Sequence, residues 1–370
     1  MKMARRLVAA SLIAGTAFAA GAGPLPDAPT FSTLITTPEA IEGLTGDGEA
    51  NLYVGTRFSA TNCKVYRISL DKPALVVVGN VPAPPGGQCS TLGLALDHGG
   101  TLYVADGDKI YRFVPNAANP PVASVFATGV PGANGVAFDH FDNVWVSDGG
   151  AGLGRVWRIG PDRVPEEMFR VPPMAQAGVG RSVVPLPNPP SGAAVTIFAN
   201  GLAFDANGDL IVTDTSRGAL WKARLDHRGN VLSSMGCDTT FTSNTLCFEN
   251  VLVMHPLLEG ADGVALDSAG NIWVDANERN AVVVVDQNGR TVRELFRNAP
   301  VAGLRNGGPL EFPTSPFLSG KRFCTTSSDL NRRDNSPNSA GEAAPATSAL
   351  GKISCMDQPL AVPGLPLPVR

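Results

Sequence analysis

One short pattern recurs along the chain and constrains its fold more than any other feature. A glycine begins an apolar run that in most copies ends in aspartate, and a tight turn then leads into a second apolar run. The glycines of the five copies are Gly43, Gly93, Gly135, Gly201 and Gly263. A repeat at this scale indicates an array of similar structural units, which makes it the first constraint on the fold.

Each repeat unit holds several strand-like runs, with no helical periodicity between them. In the second unit these runs are residues 92–96, 101–105, 109–113 and 122–128. Strands and turns at this rhythm are typical of a β-propeller, whose blades are four-stranded sheets around a central channel. We therefore predict an all-β fold, a six-bladed β-propeller with four-stranded blades over residues 30–358.

The last blade has to be assembled from both ends of the chain. Two of its strands are predicted at residues 315–318 and 321–324, and a third at 352–355. The fourth is predicted at residues 31–35, ahead of the first repeat, which would leave no exposed edge strand. The Pro-rich tail, residues 359–370, is expected to be extended on the surface.

Residues 1–22 have the features of a secretory signal peptide. A basic start that includes Arg5 and Arg6 precedes an apolar run, residues 7–14, and small residues suited to cleavage follow. That run is too short to span a bilayer as a stable helix. We therefore predict export to the periplasm or to the outside of the cell, with no stable membrane span.

Six cysteines are an even number, which in an oxidising compartment suggests disulfides. Cys237 and Cys247 flank one short segment and form the best candidate pair. The other candidate pairs would tie strands within or between adjacent repeats. They are Cys324 with Cys355, and Cys63 with Cys89. Buried free thiols are the alternative.

Composition limits the class of partner. The chain has 29 Lys and Arg residues against 33 Asp and Glu residues, so it has no large field of one sign and nucleic acid is not an expected partner. We expect a monomer that acts on a small molecule. The insertion at 174–192 is rich in Pro and Gly and is either a lid or a plain surface loop, and residues 327–348 form a polar loop.

The residue that precedes each repeat glycine is where the copies differ. In a propeller it lies where the innermost strand begins, so its side chain is expected to point toward the axis at one mouth of the channel. These residues are Glu42, Leu92, Asn134, Asn200 and Asp262. Four of them carry oxygen donors, which suits a hard divalent cation such as Ca²⁺, Mg²⁺ or Mn²⁺ better than Zn²⁺. The alternative is a simple turn, because Asn-Gly and Asp-Gly pairs tolerate positive φ.

Further polar residues are expected near the same mouth. Asp148 and Asp214 end second strands, together with Asp106 and Asp275, and either orient a ligand or cap the next turn. His255 precedes the fifth unit and is the histidine within reach of this mouth. The sequence contains no Gly-x-Ser-x-Gly elbow and no P-loop.

The register of Glu-Gly, Asn-Gly, Asn-Gly and Asp-Gly in four units resembles the gluconolactonase family, which includes senescence marker protein and luciferin-regenerating enzyme. The resemblance covers about residues 30–358. It implies a six-bladed propeller with a divalent cation, usually Ca²⁺, in the channel, and hydrolysis of lactones or related esters. By position it implies Glu42, Asn134, Asn200 and Asp262 as metal ligands. It also implies that Asp262 is the general base on water or a direct nucleophile.

Two departures from related propellers bear on the substrate. Leu92 stands where paraoxonases carry a catalytic histidine, and residues 130–133 lack the arginine that sugar lactonases place ahead of the third-blade asparagine. The resemblance thus points away from a sugar-acid lactone and toward a more apolar substrate. The competing hypothesis is a non-catalytic propeller that binds a ligand or partner at its mouth, with a structural Ca²⁺.

Overall fold

The computed structural model describes five stretches of the chain. They are residues 25–48, 50–173, 197–298, 308–328 and 350–368. Within them, antiparallel strands form six sheets of four main strands, and in five of these sheets the strands follow chain order from the channel outward. The prediction of an all-β, six-bladed propeller is confirmed. The predicted signal peptide, the 174–192 insertion and residues 329–348 of the polar loop lie outside the described residues.

The strands follow the repeat units along the chain. β1 (Phe31–Thr36) precedes the first unit. Blade one contains β2 (Ile41–Gly46), β3 (Asn51–Ser59), β4 (Asn62–Ser69) and β5 (Val76–Pro82), with the short β6 (Cys89–Ser90) beside β3. Blade two contains β7 (Leu94–Leu96), β8 (Leu102–Asp106), β9 (Lys109–Phe113) and β10 (Ser124–Thr128). Blade three contains β11 (Val136–Phe138), β12 (Val144–Ser147), β13 (Arg155–Ile159) and β14 (Pro165–Arg170).

The second half of the chain repeats this order. Blade four contains β15 (Leu202–Phe204), β16 (Leu210–Asp214), β17 (Ala219–Ala223) and β18 (Val251–Met254). Blade five contains β19 (Ala261–Leu266), β20 (Ile272–Ala276), β21 (Ala281–Val285) and β22 (Val292–Arg297). Blade six contains β23 (Pro313–Ser319), β24 (Arg322–Ser327) and β25 (Lys352–Met356). The described residues also include short 3-10 helices at Gly149–Ala151, Phe248–Asn250, Pro256–Leu258 and Asn277–Arg279.

Blade six joins the two ends of the chain, as predicted. β1 is its outermost strand and pairs antiparallel with β25, from Phe31 opposite Met356 to Thr36 opposite Lys352. The ring of blades is therefore closed by backbone hydrogen bonds between the first and last strands of the chain.

The aspartate that ends the first apolar run of a repeat builds the turn between the first two strands of a blade. In blade three, Asp139 Oδ1 accepts hydrogen bonds from the backbone N–H groups of Phe141 and Asn143 at 2.9 and 3.0 Å. Its Oδ2 accepts one from the indole of the buried Trp145 at 2.9 Å. Asp267 makes the equivalent bonds in blade five. The aspartate thus fixes the turn locally and links it to the core between blades.

The repeat glycines are required by close packing around the axis. A Cβ on each glycine would lie closer than 3.0 Å to a backbone carbonyl oxygen of the next blade. The pairs are Gly43 with Leu92, Gly93 with Asn134, Gly135 with Asn200, Gly201 with Asp262, and Gly263 with Thr314. None of these five glycines has a φ in the left-handed region, so the turn explanation for the repeat is wrong. The glycines instead let neighbouring innermost strands touch.

The C-terminal tail lines the end of the channel opposite the repeat glycines. Leu365 N–H donates to Leu266 O at 2.8 Å, where β19 ends. Leu365, Leu367 and Pro368 line a cavity of about 90 Å³ together with apolar residues of the innermost strands. Pro368 is buried. The tail that was expected on the surface is thus also part of the channel wall.

Three disulfides confirm the predicted cysteine pairs. They are Cys63–Cys89, Cys237–Cys247 and Cys324–Cys355. The first ties β4 to β6, and the last joins directly opposed residues of β24 and β25. Across the described stretches, the structure contains no helix that is both long and apolar enough to cross a membrane.

Candidate functional site

The residues before the repeat glycines lie at matching positions of their blades. In blade three, Asn134 N–H donates to Ser147 O at 2.9 Å and Ser147 N–H donates to Gly135 O at 3.1 Å. The equivalent bonds join Asn200, Thr213 and Gly201 in blade four, and Leu92, Ala105 and Gly93 in blade two. These residues therefore start the innermost strands at one height along the channel.

Blades one and five place their carboxylates by a shared irregularity. The pairing of β2 with β3 shifts between Ile41 and Leu44, and that of β19 with β20 shifts between Ala261 and Val264. Glu42 and Asp262 occupy the same place in these two bulges. A bulge bends its strand and redirects the side chain that it carries. The backbone therefore directs the two carboxylates in the same way.

The close approaches between blades identify a ring of six positions, which we call the mouth ring. Its members are Glu42, Leu92, Asn134, Asn200, Asp262 and Thr314. The four predicted ligands are all buried, with 9% exposure for Glu42 and Asn134, 3% for Asn200 and 5% for Asp262. Buried oxygen donors need hydrogen bonds or a cation to offset the loss of water. Their surroundings in the folded chain therefore indicate what they are for.

Each of the four predicted ligands faces the residue that follows it by 15 positions. This residue lies just beyond the second strand in blades three, four and five, and within the longer β3 in blade one. Glu42 pairs with Arg57, Asn200 with Thr215 and Asp262 with Asn277, and Asn134 lies against Gly149. A Cβ on Gly149 would come within 2.6 Å of Asn134 Nδ2. The sequence patterns did not identify these neighbours, although a fixed offset from each repeat residue was available as a signal.

Asn277 holds the carboxylate of Asp262. Its Nδ2 donates to Asp262 Oδ2 at 2.8 Å, and its side chain is buried. Because a carboxylate accepts hydrogen bonds, this contact also fixes which way the amide points. The amide oxygen of Asn277 has no hydrogen-bond partner in the described part of the chain.

Arg57 holds the carboxylate of Glu42 from a strand that extends beyond its blade. Nη1 forms an ion pair with Glu42 Oε2, and Nε donates to Ser90 Oγ at 2.9 Å. β6 pairs with this end of β3, with Arg57 opposite Ser90, and the Cys63–Cys89 disulfide anchors β6. The guanidinium also lies 4.6 Å from the ring centre of Phe58. Arg57 is therefore held at the mouth ring by several independent contacts.

A second set of side chains fixes the backbone of the mouth ring. The hydroxyls of Ser147, Thr213 and Thr326 donate to the carbonyl oxygens of the next ring member, with Ser147 Oγ at 2.5 Å from Asn200 O. Asp275 occupies this position in blade five, because Val274 and Val212 occupy matching registers. Its grouping with Asp148 and Asp214 was therefore one residue out of register.

Asp275 differs chemically from the hydroxyls that it replaces. Thr325 Oγ1 donates to its Oδ2 at 2.5 Å, and its Oδ1 has no partner among the described residues. The side chain is fully buried, and burial raises the pKa of the carboxyl well above its ordinary value.

Asp148 and Asp214 bind arginines of their own blades. Asp148 accepts the backbone N–H of Arg155 at 2.8 Å and pairs with its guanidinium, and burial raises the pKa of this carboxyl to about 6. Asp214 accepts Arg217 N–H at 2.9 Å and Nη1 at 2.6 Å, and burial raises its pKa as well. These contacts connect the second strand to the turn and the strand that follow it.

His255 serves a local structural role in the contacts that the structure shows. Its Nδ1 accepts a hydrogen bond from Leu257 N–H at 3.1 Å and thereby caps the 3-10 helix Pro256–Leu258. The side chain is half-buried, on the loop that leads into blade five.

The mouth ring supplies two carboxylates and two amides, and Arg57 forms an ion pair with one of them, Glu42. Within the described ranges, no three His, Cys, Asp or Glu side chains cluster as a metal site. That finding is compatible with the ring, since only two of its donors belong to those residue types. Four buried oxygen donors of this kind suit a hard divalent cation.

Comparison with known proteins agrees with this architecture. The family model for the SMP-30/Gluconolactonase/LRE-like region matches residues 193–301, which include Asn200 and Asp262. No curated protein sequence matches the chain.

Several solved structures share the fold at low sequence identity. A luciferin-regenerating enzyme is 13% identical with a TM-score of 0.62, and the match covers 91% of this chain and 97% of that one. A putative gluconolactonase is 16% identical with a TM-score of 0.55, covering 92% and 95%. Regucalcin of Agrobacterium tumefaciens, described as a calcium-binding protein, is 17% identical with a TM-score of 0.55, covering 91% and 95%.

At these identities the solved structures establish the fold, and the family model adds the resemblance in sequence. The family resemblance expected from the repeat is thereby confirmed. The chain is a six-bladed β-propeller whose residues 193–301 match the family model of the SMP-30/Gluconolactonase/LRE-like region.

Proposed function

We propose that the chain is an exported, divalent-metal-dependent hydrolase of the lactonase or esterase type. The observation that carries this proposal is the mouth ring, where four blades each present a buried oxygen donor at the same position. Glu42, Asn134, Asn200 and Asp262 would hold the cation, most simply Ca²⁺.

The charge of the ring supports a cation in its centre. Two carboxylates that share a buried site repel each other unless positive charge is close. Arg57 forms an ion pair with Glu42, and Asn277 donates a hydrogen bond from its neutral amide to Asp262. A divalent ion in the mouth ring would add positive charge close to both carboxylates.

Asp262 is the residue that we assign to chemistry. When bound, the cation would polarise the substrate carbonyl and stabilise the negative charge that develops on its oxygen. The Asp262 carboxylate, oriented by Asn277, would accept a proton from the water that attacks the carbonyl carbon. The ester C–O bond would then break, and the proton held by Asp262 would pass to the released alkoxide, which gives a hydroxy acid from a lactone or an acid and an alcohol from an ester. Direct attack by Asp262 on the carbonyl carbon is the alternative role of this residue.

The substrate that we propose is a lactone or ester of apolar character. Leu92 contributes an aliphatic side chain to the mouth ring, and Phe58 stands 47% exposed beside Arg57. Export rests on the predicted signal peptide, and the three disulfides suit an oxidising compartment.

The test combines metal analysis with a substrate panel. We expect the purified mature chain to bind one divalent cation and to hydrolyse a lactone or aryl ester, with activity lost in chelator and restored by Ca²⁺. Hydrolysis unchanged by chelator, in protein without metal, would exclude the proposal. Tight metal binding without turnover across the panel would indicate the competing function, a ligand-binding propeller with a structural cation.

A further inference from the structure

The four residues that face the predicted ligands differ in charge. They are Arg57, Gly149, Thr215 and Asn277. We infer that Arg57 is a built-in competitor for the cation: its guanidinium engages the Glu42 carboxylate that a divalent ion would use, and so weakens cation binding at blade one. The inference rests on the proposed metal site and adds a residue that sets its affinity.

The position of Arg57 is fixed by structure outside the mouth ring. Its backbone N–H donates to Ala40 O at 2.8 Å, and its Nε donates to Ser90 Oγ at 2.9 Å. The β3–β6 pairing and the Cys63–Cys89 disulfide hold that part of the strand in place. A guanidinium anchored in this way stays near Glu42 when a cation arrives, because its other contacts do not depend on Glu42.

The electrostatic consequence follows from burial. The Arg57 and Glu42 side chains are 13% and 12% exposed, so solvent screens them only in part. A fixed positive charge beside one ligand attracts that ligand and repels an incoming cation, and both effects oppose binding. The same proximity would be stabilising if the mouth ring had no cation to bind.

Blade five provides the internal comparison. Asp262 occupies the same bulge position as Glu42, but its neighbour at the same offset is Asn277, a neutral donor. The Asn277 amide orients the carboxylate without adding charge. Asp262 should therefore be the stronger arm of the site and Glu42 the weaker, more readily exchanged arm.

The experiment measures Ca²⁺ binding to the full mature chain by calorimetry, with Ca²⁺ alone as the probe. We expect Arg57→Gln to lower the Ca²⁺ dissociation constant by about tenfold or more, which corresponds to about 1.4 kcal/mol. Arg57→Lys keeps the charge and should stay near the wild-type value. Arg158→Gln, which removes the same net charge at a Glu166 ion pair on the outside of blade three, should leave the affinity unchanged.

The opposite result would identify Arg57 as a positioning residue that prepares Glu42 for the cation. In that case Arg57→Gln weakens binding, and either weaker or unchanged affinity overturns the competition. If Arg57→Gln does not fold by circular dichroism, Arg57→Met takes its place in the same comparison. The effect should also vanish in a Glu42→Gln background, because the competition acts through that carboxylate.

These outcomes separate this inference from the proposed function. A wild-type chain that binds Ca²⁺ but hydrolyses nothing contradicts the hydrolase and leaves the competition testable. A wild-type chain that binds Ca²⁺ with no gain in Arg57→Gln contradicts the competition alone. Absence of Ca²⁺ binding in both proteins contradicts both.

Discussion

Blades one and five begin their innermost strands with the same backbone and surround it with different chemistry. Each places a carboxylate, Glu42 or Asp262, in a bulge, and each follows it with a glycine that touches the next blade. One carboxylate then meets an arginine and the other an asparagine. Equal positions in a repeat therefore do not imply equal roles, because the residue 15 positions further along the chain decides how each carboxylate is used.

The structural source of the difference lies where the second strand ends. In blade one, β3 continues past its blade and pairs with β6, which carries Arg57 to the mouth ring. In blade five, β20 stops at Ala276 and a 3-10 helix begins with Asn277. The extension of β3 thus places an arginine 15 positions after Glu42, and the end of β20 places an asparagine 15 positions after Asp262.

The largest expected effect separates the two carboxylates in catalysis. Asp262→Asn should lower kcat/KM by roughly 10³-fold or more, because the proton acceptor is lost. Glu42→Gln should lose roughly tenfold, through weaker cation occupancy, and excess Ca²⁺ should restore most of that activity. Initial rates on one ester across a Ca²⁺ series measure both. Equal, unrescued losses in the two variants would break the proposed division of roles.

The second effect tests whether the two blades share one backbone geometry. Gly43→Ala and Gly263→Ala should each lower the free energy of unfolding by about 3 kcal/mol, because the added Cβ meets the carbonyl oxygen of Leu92 or Thr314. Gly160→Ala is the control, since the added Cβ would lie in ordinary van der Waals contact, 3.4 Å from Asp162 Oδ1 and 3.6 Å from Asn143 Oδ1. Urea unfolding of the three variants makes the comparison. A large loss in one blade alone would show that the ring is not closed in the same way throughout.

The third effect concerns the second-strand position opposite the bulge, where blade one has Gly55 and blade five has Asp275. Burial raises the pKa of Asp275, so the folded state keeps this proton to a higher pH than the unfolded chain does. Stability from this group is therefore present at low pH and falls as the pH rises above about 4.

The variant Asp275→Thr tests that dependence by restoring the hydroxyl found in blades four and six. The wild-type chain should lose up to about 1.4 kcal/mol of stability per pH unit relative to the variant, within the window where the two states differ in protonation. Chemical unfolding of both proteins at about one-unit intervals between about pH 4 and pH 7 measures the difference in their free energies of unfolding. A difference that stays constant over this range would mean that Asp275 does not hold an extra proton in the folded state.

The smallest effect concerns the amide behind Asp262. Asn277→Ala should lower kcat by about tenfold with little change in KM, because the carboxylate loses the donor that orients it. Thr215→Val is the matched change in blade four, where the facing ligand is the neutral Asn200, and should cost less than about threefold. Steady-state kinetics of both variants decides. Equal losses would mean that the residue at this offset supports the fold of each blade rather than the chemistry of one.

The blade architecture could be predicted from the sequence because each repeat consists of short-range patterns. Alternating apolar runs and the turn-forming aspartates locate the strands, and the spare runs at 31–35 and 352–355 predict the closing blade. The cysteine pairs followed from spacing for the same reason. The glycines were recognised as markers, but their cause is a contact between blades that no local pattern contains.

The surroundings of the candidate ligands were beyond reach because they depend on where strands end. Arg57 reaches the mouth ring only because β3 runs past its blade. Asp275 is expected from the sequence at the end of the second strand, but β20 ends one residue later, at Ala276. A shift of one residue reverses the face of a strand, so small errors in strand ends change every contact. Asp148 and Asp214 illustrate the same point, since Arg155 lies on the strand that follows Asp148 and Arg217 lies on the turn that follows Asp214.

The pairing of β1 with β25 has a consequence for how the chain acquires its structure. Five blades are built from contiguous segments, whereas the outermost strand of blade six is separated from its partner by most of the chain. Contacts at such long range close large loops and form slowly. Until the last strands have been synthesised, β1 has no partner and β23 has no completed sheet behind it. The Cys324–Cys355 bond can link β24 to β25 without β1, so it can prepare the edge to which the first strand of the chain finally adds.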